Sequence, residues 1–353
     1  MLGPKPLRPL HHYILPGIFV LSLFVLLIVR RAPPVQNIEK DPHSILLQGE
    51  TMGTFWSVKV SKVQSNPTLY QEITNRLEEI NQSMSTYIPN SEISRFNQSR
   101  NTDPFPISPS FFEVLKTAQE ISQKSSGAFD ITIKPIVELY GFGTQKKSTP
   151  PPQEELEHAR ALVGYQKLIL THPNHIQKTI LKQEIDLSAI AKGYAVDKIA
   201  ELLHNKGYQD YMIDIGGEVR TAGNNPKGNL WKIAIEQPDA ERGSYSAILT
   251  LDNLAIATSG DYRNYYEANG VRISHTIDPR TGSSITHTLA SVSVAHKSTM
   301  MADAWATALN VLGPQEALSY AQKYNLQVML IIRNPNGDYD VKYSPLMKPL
   351  IYH

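Results

Sequence analysis

Strand-like and helix-like segments follow one another in this chain without regular alternation, and that irregular order constrains the fold more than any other feature. Apolar and polar residues alternate at 56–60 as in a strand, and Tyr211–Ile215, 230–236, 247–251 and 327–332 also read as strands. Helical spacing appears at 67–80, where Leu69, Ile73, Leu77 and Ile80 share a face, and again at Pro109–Lys124, 190–203, 299–312 and 314–324. A shorter helix is expected near 92–96, and 129–133 reads as β-prone. One stretch alone has a β-α-β pattern: a strand at 179–185, the helix at 190–203 stopped by Gly207, then the strand at Tyr211–Ile215. Such a mixture predicts an α+β fold rather than a regular α/β one. No G-x-G-x-x-G opens a strand–helix unit, which argues against a Rossmann-type dinucleotide domain.

The N-terminus stands apart. An apolar run at 14–29 is broken only by Pro16, Gly17 and Ser22, with Lys5 and Arg8 before it and Arg30–Arg31 after it. At ~1.5 Å per helical residue it is near the lower limit for a membrane span. We read residues 1–12 as a tail, 13–29 as a transmembrane signal-anchor, 30–44 as a proline-bearing linker with Pro33, Pro34 and Pro42, and 45–353 as one domain. A cleaved signal peptide is the alternative. The run is long for a signal core, and Val29-Arg30-Arg31-Ala32 lacks a small-residue cleavage site. Positive charge flanks both sides, so charge alone does not orient the span. Within the domain, the stretch 143–152 with its three consecutive prolines reads as a surface loop.

Composition removes several chemistries. There is no cysteine, which excludes thiolate nucleophiles, disulfides, Cys-ligated zinc and a lipidated N-terminal cysteine. Lys and Arg number 34 against 33 Asp and Glu, so no basic excess advertises nucleic-acid binding. The P-loop, G-x-S-x-G and H-E-x-x-H motifs are also absent.

Four features could carry chemistry. On the helix capped by Ser298 and stopped by Gly313–Pro314, Met301, Trp305, Ala308 and Leu312 lie on one face, with Asp303, Thr307 and Asn310 opposite. That stripe is either solvated or a compact set of hard oxygen donors suited to Mg²⁺. Lys192 lies in the first turn of a helix, where the dipole disfavours a cation by several tenths of a kcal/mol. It either reaches solvent or meets a bound phosphate, which both a helix N-terminus and a lysine favour. His275, ahead of the turn at 278–282, is a structural hydrogen-bonder or a general base. Gly216–Gly217 turns the chain or lets a ligand approach the backbone.

Eight segments taken together resemble the ApbE family of FAD:protein FMN transferases. They are Met52-Gly53-Thr54; Met84-Ser85-Thr86-Tyr87 with 91–97; Gly127-Ala128-Phe129-Asp130; 186–195; Asp214-Ile215-Gly216-Gly217-Glu218; Thr258-Ser259-Gly260-Asp261-Tyr262; 275–282; and 302–307. They occur in the family's order over roughly residues 48 to 340. Each is weak alone; eight in order are specific.

The resemblance implies mixed, largely antiparallel sheets with packed helices. It implies Mg²⁺ held by Asp303, Thr307 and the backbone carbonyl of Ala189. Met52, Tyr87, Ala128, Phe129, Asp130, Asp186, Lys192 and Ile277 would line the FAD site, with FAD as substrate and His275 as general base. The family usually has glycine where Ser188 or Ala189 stands, and a carbonyl ligand does not require one. The implied partners are flavoprotein subunits of membrane redox complexes, with the catalytic domain on the periplasmic side of the inner membrane. A shared membrane would raise the effective concentration of enzyme and target. Two other activities fit the same residues: a Mg²⁺-dependent FAD pyrophosphatase, and a flavin carrier without chemistry.

Overall fold

The computed structural model describes residues 44–63, 66–239, 243–261, 264–268 and 270–352. The expected tail, anchor and nearly all of the linker lie outside them. Among the described residues no helix is long and apolar enough to cross a membrane.

The frame is one sheet of eight strands: β1 (Ser44–Thr51), β2 (Thr54–Ser61), β3 (Tyr211–Ile215), β4 (Glu218–Ala222), β5 (Ala255–Gly260), β6 (Leu289–His296), β7 (Gln327–Arg333) and β8 (Tyr339–Tyr343). They lie side by side in the order in which the chain reaches them, and every neighbouring pair is antiparallel. The expected α+β class with antiparallel sheets is therefore observed. Helices are carried in the long connections: α1 (Leu69–Met84), α2 (Glu92–Gln98), α3 (Pro109–Lys124), α4 (Lys134–Leu139), α5 (Gln153–Leu162), α6 (Ala191–Asn205) and α7 (Thr299–Lys323).

Both faces of the sheet are covered. On β7, Val328 and Leu330 join the helix-side core, while Met329 and Ile331 face the other way. There they meet Ile235, Leu249 and Leu251 of the hairpin formed by Trp231–Glu236 and Tyr245–Leu251. A strand buried on both faces reads as a continuous apolar run, as 328–332 does.

Local sequence explains most helix ends. Ser108 accepts from Phe111 N at 3.2 Å with Pro109 in the first turn, and Ser298 accepts from Met301 N at 3.3 Å. Gly313, at φ 78°, interrupts α7 ahead of Pro314, which reproduces the two helical stretches expected there.

Two expectations are corrected. Residues 129–133 do not form a strand; Ile131–Ile133 is a 3₁₀ turn, capped by the Asp130 carboxylate accepting from Thr132 N at 2.8 Å. Nor do 179–185. The strand there is His175–Lys178, in a small three-stranded sheet, and the chain beyond it is irregular. The reason is that side chains, not a neighbouring strand, satisfy this backbone. Asn97 accepts from Ile185 N and donates to Ile185 O, both at 2.8 Å. Buried Lys178 donates to the carbonyls of Phe96, Ser99 and Gln183. The β-α-β pattern thus reduces to α6 followed by β3.

Candidate active site

Two helix N-termini meet at a glycine. A Cβ on Gly193 would stand 2.5 Å from Thr299 O and 2.8 Å from Met300 Cα, so only glycine lets α6 approach α7 this closely. The contact leaves the Gly193 N–H, one of the donors that a helix start cannot satisfy internally, facing α7. Asp303 Oδ2 accepts it at 3.0 Å. Asp303 is 5% exposed and Asn310 fully buried, so the polar face of α7 is not a solvated stripe. Burial pushes the Asp303 carboxyl up, while Lys192 and the Gly193 N–H pull it down.

One turn along α7, Thr307 is half-buried. It lines a small cavity of about 70 Å³ together with Ala128, Phe129, Asp130, Asp186, Ala189 and Ile277. A second cleft, of about 530 Å³, is lined by Met52, Tyr87, Asp186, Ser188 and Lys192. Asp186 and Ser188 border both spaces, so they are adjoining compartments of one site. Asp186 is held in place by its own N–H on Ile131 O at 2.7 Å and by Ser188 N on its Oδ1 at 2.7 Å. Tyr87 is 67% exposed and offers its ring at the cleft.

Lys192 does not run out to solvent. Its Nζ is 2.7 Å from Glu218 Oε1. Burial works against its charge, but Glu218, Asp303 and Asp214 overcome this and raise its pKa. Glu218 follows the two-residue turn at Gly216–Gly217, whose φ values of 63° and 98° both suit glycine. Burial first, and Asp303 second, push the Glu218 carboxyl up, while Lys192 at 2.7 Å pulls it back down and holds it as the partner of the ammonium. Its other oxygen, Oε2, is buried without a hydrogen-bond partner. Three acidic groups, Glu218, Asp303 and Asp214, thus act on one ammonium, and only Glu218 touches it.

His275 ends the short strand Val271–Ser274. Its backbone N–H and its Nδ1 both meet Asn264 O, each at 3.0 Å. A carbonyl only accepts, so Nδ1 carries the proton and Nε2 is the free base. Burial depresses the pKa, as does the charge of Lys192, while the Asn264 carbonyl and Asp261 oppose them. The imidazole is therefore neutral at pH 7.

Asp130 lines the small cavity, and its carboxylate is held by neighbouring groups. Its Oδ1 accepts from Thr132 N and Oγ1 at 2.8 and 2.7 Å, and its Oδ2 from Tyr165 N at 2.8 Å. These bonds fix its side chain in the cavity wall. Sequence reading assigned no role to Asn97 or Glu218, although both lie in quoted motifs. A signal existed for each: Asn97 lies on the apolar side of α2 beside Ile93 and Phe96, and Glu218 opens a strand straight after a diglycine turn.

Among the described residues, no three His, Cys, Asp or Glu side chains gather as a ligand set. A cation here would draw on one carboxylate, one hydroxyl and carbonyl oxygens, with substrate phosphate completing the shell. Such hard, oxygen-only donors fit Mg²⁺.

Known proteins resemble this chain in sequence and in fold. The sequence profile of the ApbE family matches residues 52–330. The FAD:protein FMN transferase of Vibrio cholerae is 41% identical over 303 residues, spanning 85% of this chain and 90% of its own. That of Haemophilus influenzae is 42% identical over 323 residues, 88% and 93% of the two chains. The solved flavin transferase ApbE from Vibrio cholerae superposes with a TM-score of 0.81 at 40% identity, covering 87% of this chain and 99% of that one. The apo flavinyl transferase ApbE of Pseudomonas stutzeri gives 0.80 at 35% identity, covering 86% and 96%. A profile match over most of the chain and relatives of this identity lead to one conclusion: the chain belongs to the ApbE family.

Proposed function

We propose that this protein transfers the FMN half of FAD onto a threonine hydroxyl of an acceptor flavoprotein and releases AMP. The observation that carries the reading is the junction at Lys192. It joins a cleft large enough for a flat ring to a buried carboxylate at two helix N-termini. A diphosphate placed there would meet the lysine and the positive end of α6 together. Tyr87, at the mouth, suits stacking on the isoalloxazine or adenine ring.

In the reaction, the threonine oxygen forms a bond to the FMN-side phosphorus. The bond from that phosphorus to the bridging oxygen breaks, and its electron pair leaves with AMP. The hydroxyl proton passes to Nε2 of His275, which is unprotonated at neutral pH. Lys192 offsets phosphate charge that would repel the nucleophile. Asp303, Thr307 and the Ala189 carbonyl would hold Mg²⁺, which when bound supplies further positive charge towards the diphosphate and the leaving phosphate.

The names of the relatives and the oxygen-only donor set support this reading. It is tested with the purified protein, FAD, Mg²⁺ and an acceptor domain bearing an exposed threonine. In-gel flavin fluorescence on the acceptor, lost when that threonine becomes alanine, is the expected result. Free FMN and AMP with an unlabelled acceptor would establish hydrolysis instead.

The apolar run at 13–29 and the proline-bearing linker after it support a further placement. They would tether the catalytic domain to the inner membrane on its periplasmic side, beside flavoprotein subunits of membrane redox complexes. A C-terminal reporter active only in the cytoplasm would overturn that placement.

A further inference from the structure

Lys192 has a partner that a phosphate could replace. Its side chain is 29% exposed, on the edge of the cleft, and its Nζ is turned onto Glu218 Oε1 at 2.7 Å. Glu218 pays heavily for the contact in desolvation. Its side chain is 3% exposed, and Oε2 is buried with no hydrogen-bond partner. A buried carboxylate with one orphan oxygen costs stability that an amide or an apolar side chain would not.

The position is also imposed by rigid surroundings. Glu218 is paired across the hairpin with Ile215, and Gly217 N–H is fixed on Asp214 Oδ1 at 2.9 Å. Gly216 sits so close to Thr54 that a Cβ would be 2.7 Å from its Cγ2. The backbone beneath the carboxylate is therefore fixed and its side chain is buried, whereas the lysine, on four flexible methylenes and partly exposed, has room to move.

We propose that Glu218 is a positioning residue, a built-in rival to the substrate's phosphates for the Lys192 ammonium. It seats the ammonium when no phosphate is bound and reclaims it when AMP departs. The site then holds a diphosphate less tightly than a free lysine would, and product leaves sooner. This inference rests on the reading of the cleft as a diphosphate site.

The test measures FAD and AMP binding without Mg²⁺, in the presence of a chelator, by flavin fluorescence and calorimetry. Wild type, Glu218→Gln and Glu218→Asp are compared, with kcat and KM measured separately in Mg²⁺. Most substitutions in a binding site weaken binding; this one should strengthen it. Glu218→Gln should bind FAD and AMP at least about fivefold more tightly, on the scale of one lost charge pair. Its kcat should fall together with KM. Glu218→Asp, with a shorter reach to the same lysine, should fall between wild type and the glutamine variant.

Unchanged or weaker binding in Glu218→Gln overturns the proposal. If that variant does not fold, Glu218→Asp decides alone, and affinity no higher than wild type overturns it. Failure of the underlying reading looks different, because wild type itself would then bind no FAD.

Discussion

The carboxamide of Asn97 closes a two-bond ring on the backbone of Ile185, donating to its carbonyl and accepting from its N–H, both at 2.8 Å. The next residue is Asp186, which borders both compartments of the site, and α6 begins five residues later. A buried side chain thus sets the path of the chain into the helix that carries Lys192. Asn97→Leu fills similar space but leaves two buried backbone groups unpaired, so it should cost about 2–4 kcal/mol. Chemical denaturation should show this as a lower midpoint at unchanged slope.

Gly193 tests the helix contact itself. A methyl group there meets backbone atoms of Thr299 and Met300 that cannot give way as a side-chain tip could. Gly193→Ala should destabilise by about 1–3 kcal/mol, the usual scale for overpacking. Activity should fall further than the lost stability explains, because α6 and α7 carry Lys192 and Asp303. Thermal melts and kcat/KM on the folded fraction separate the two effects.

Asp303→Ala removes the buried carboxylate and leaves the Gly193 N–H unpaired, at a stability cost of about 1 kcal/mol. The fold should survive, as judged by circular dichroism, while Mg²⁺-dependent transfer falls by about 10³-fold or more. A flavin carrier without chemistry would show no transfer even in the wild type and would keep FAD binding in the variant, whereas full transfer in the variant would exclude Asp303 as a metal ligand.

His275 gives the pH dependence. Its folded pKa lies below 6.5, so transfer should stay flat through neutral pH and decline only as the solution becomes more acid than that value. The linked stability has the same sign. It is present above the unfolded pKa and is lost as pH falls through the folded one, where the half-buried imidazole must take up a proton. Lys192→Met removes a charge that pushes His275 down, so the midpoint for His275 should move up. An NMR titration of the ring reads this directly, whether or not the variant turns over.

The elements whose signals are local were visible in the order of residues alone. The α1 stripe of Leu69, Ile73, Leu77 and Ile80 is buried as its spacing required. Ser108 and Ser298 cap the helices that follow them, and Gly313–Pro314 breaks α7 where a positive φ and a missing N–H demand it. Met52, Tyr87, Asp186 and Lys192, each in a motif that the sequence singled out, line one cleft.

What local pattern could not decide was what each polar group would meet. Ile185 looked like strand because the run opening with Thr179 and Ile180 and ending at Ile185 has β-branched residues at both ends, yet its hydrogen bonds go to a side chain 88 positions away. Asp303 and Thr307 carried two opposite readings, solvated or buried, because helical periodicity reports which residues share a face and not what covers that face. The answer came from Gly193, which brings α6 against α7. Lys192 found Glu218 only when the β3–β4 turn folded back. Periodicity and capping act over a few residues and are written along the chain, whereas desolvation and charge pairing depend on neighbours that only packing supplies.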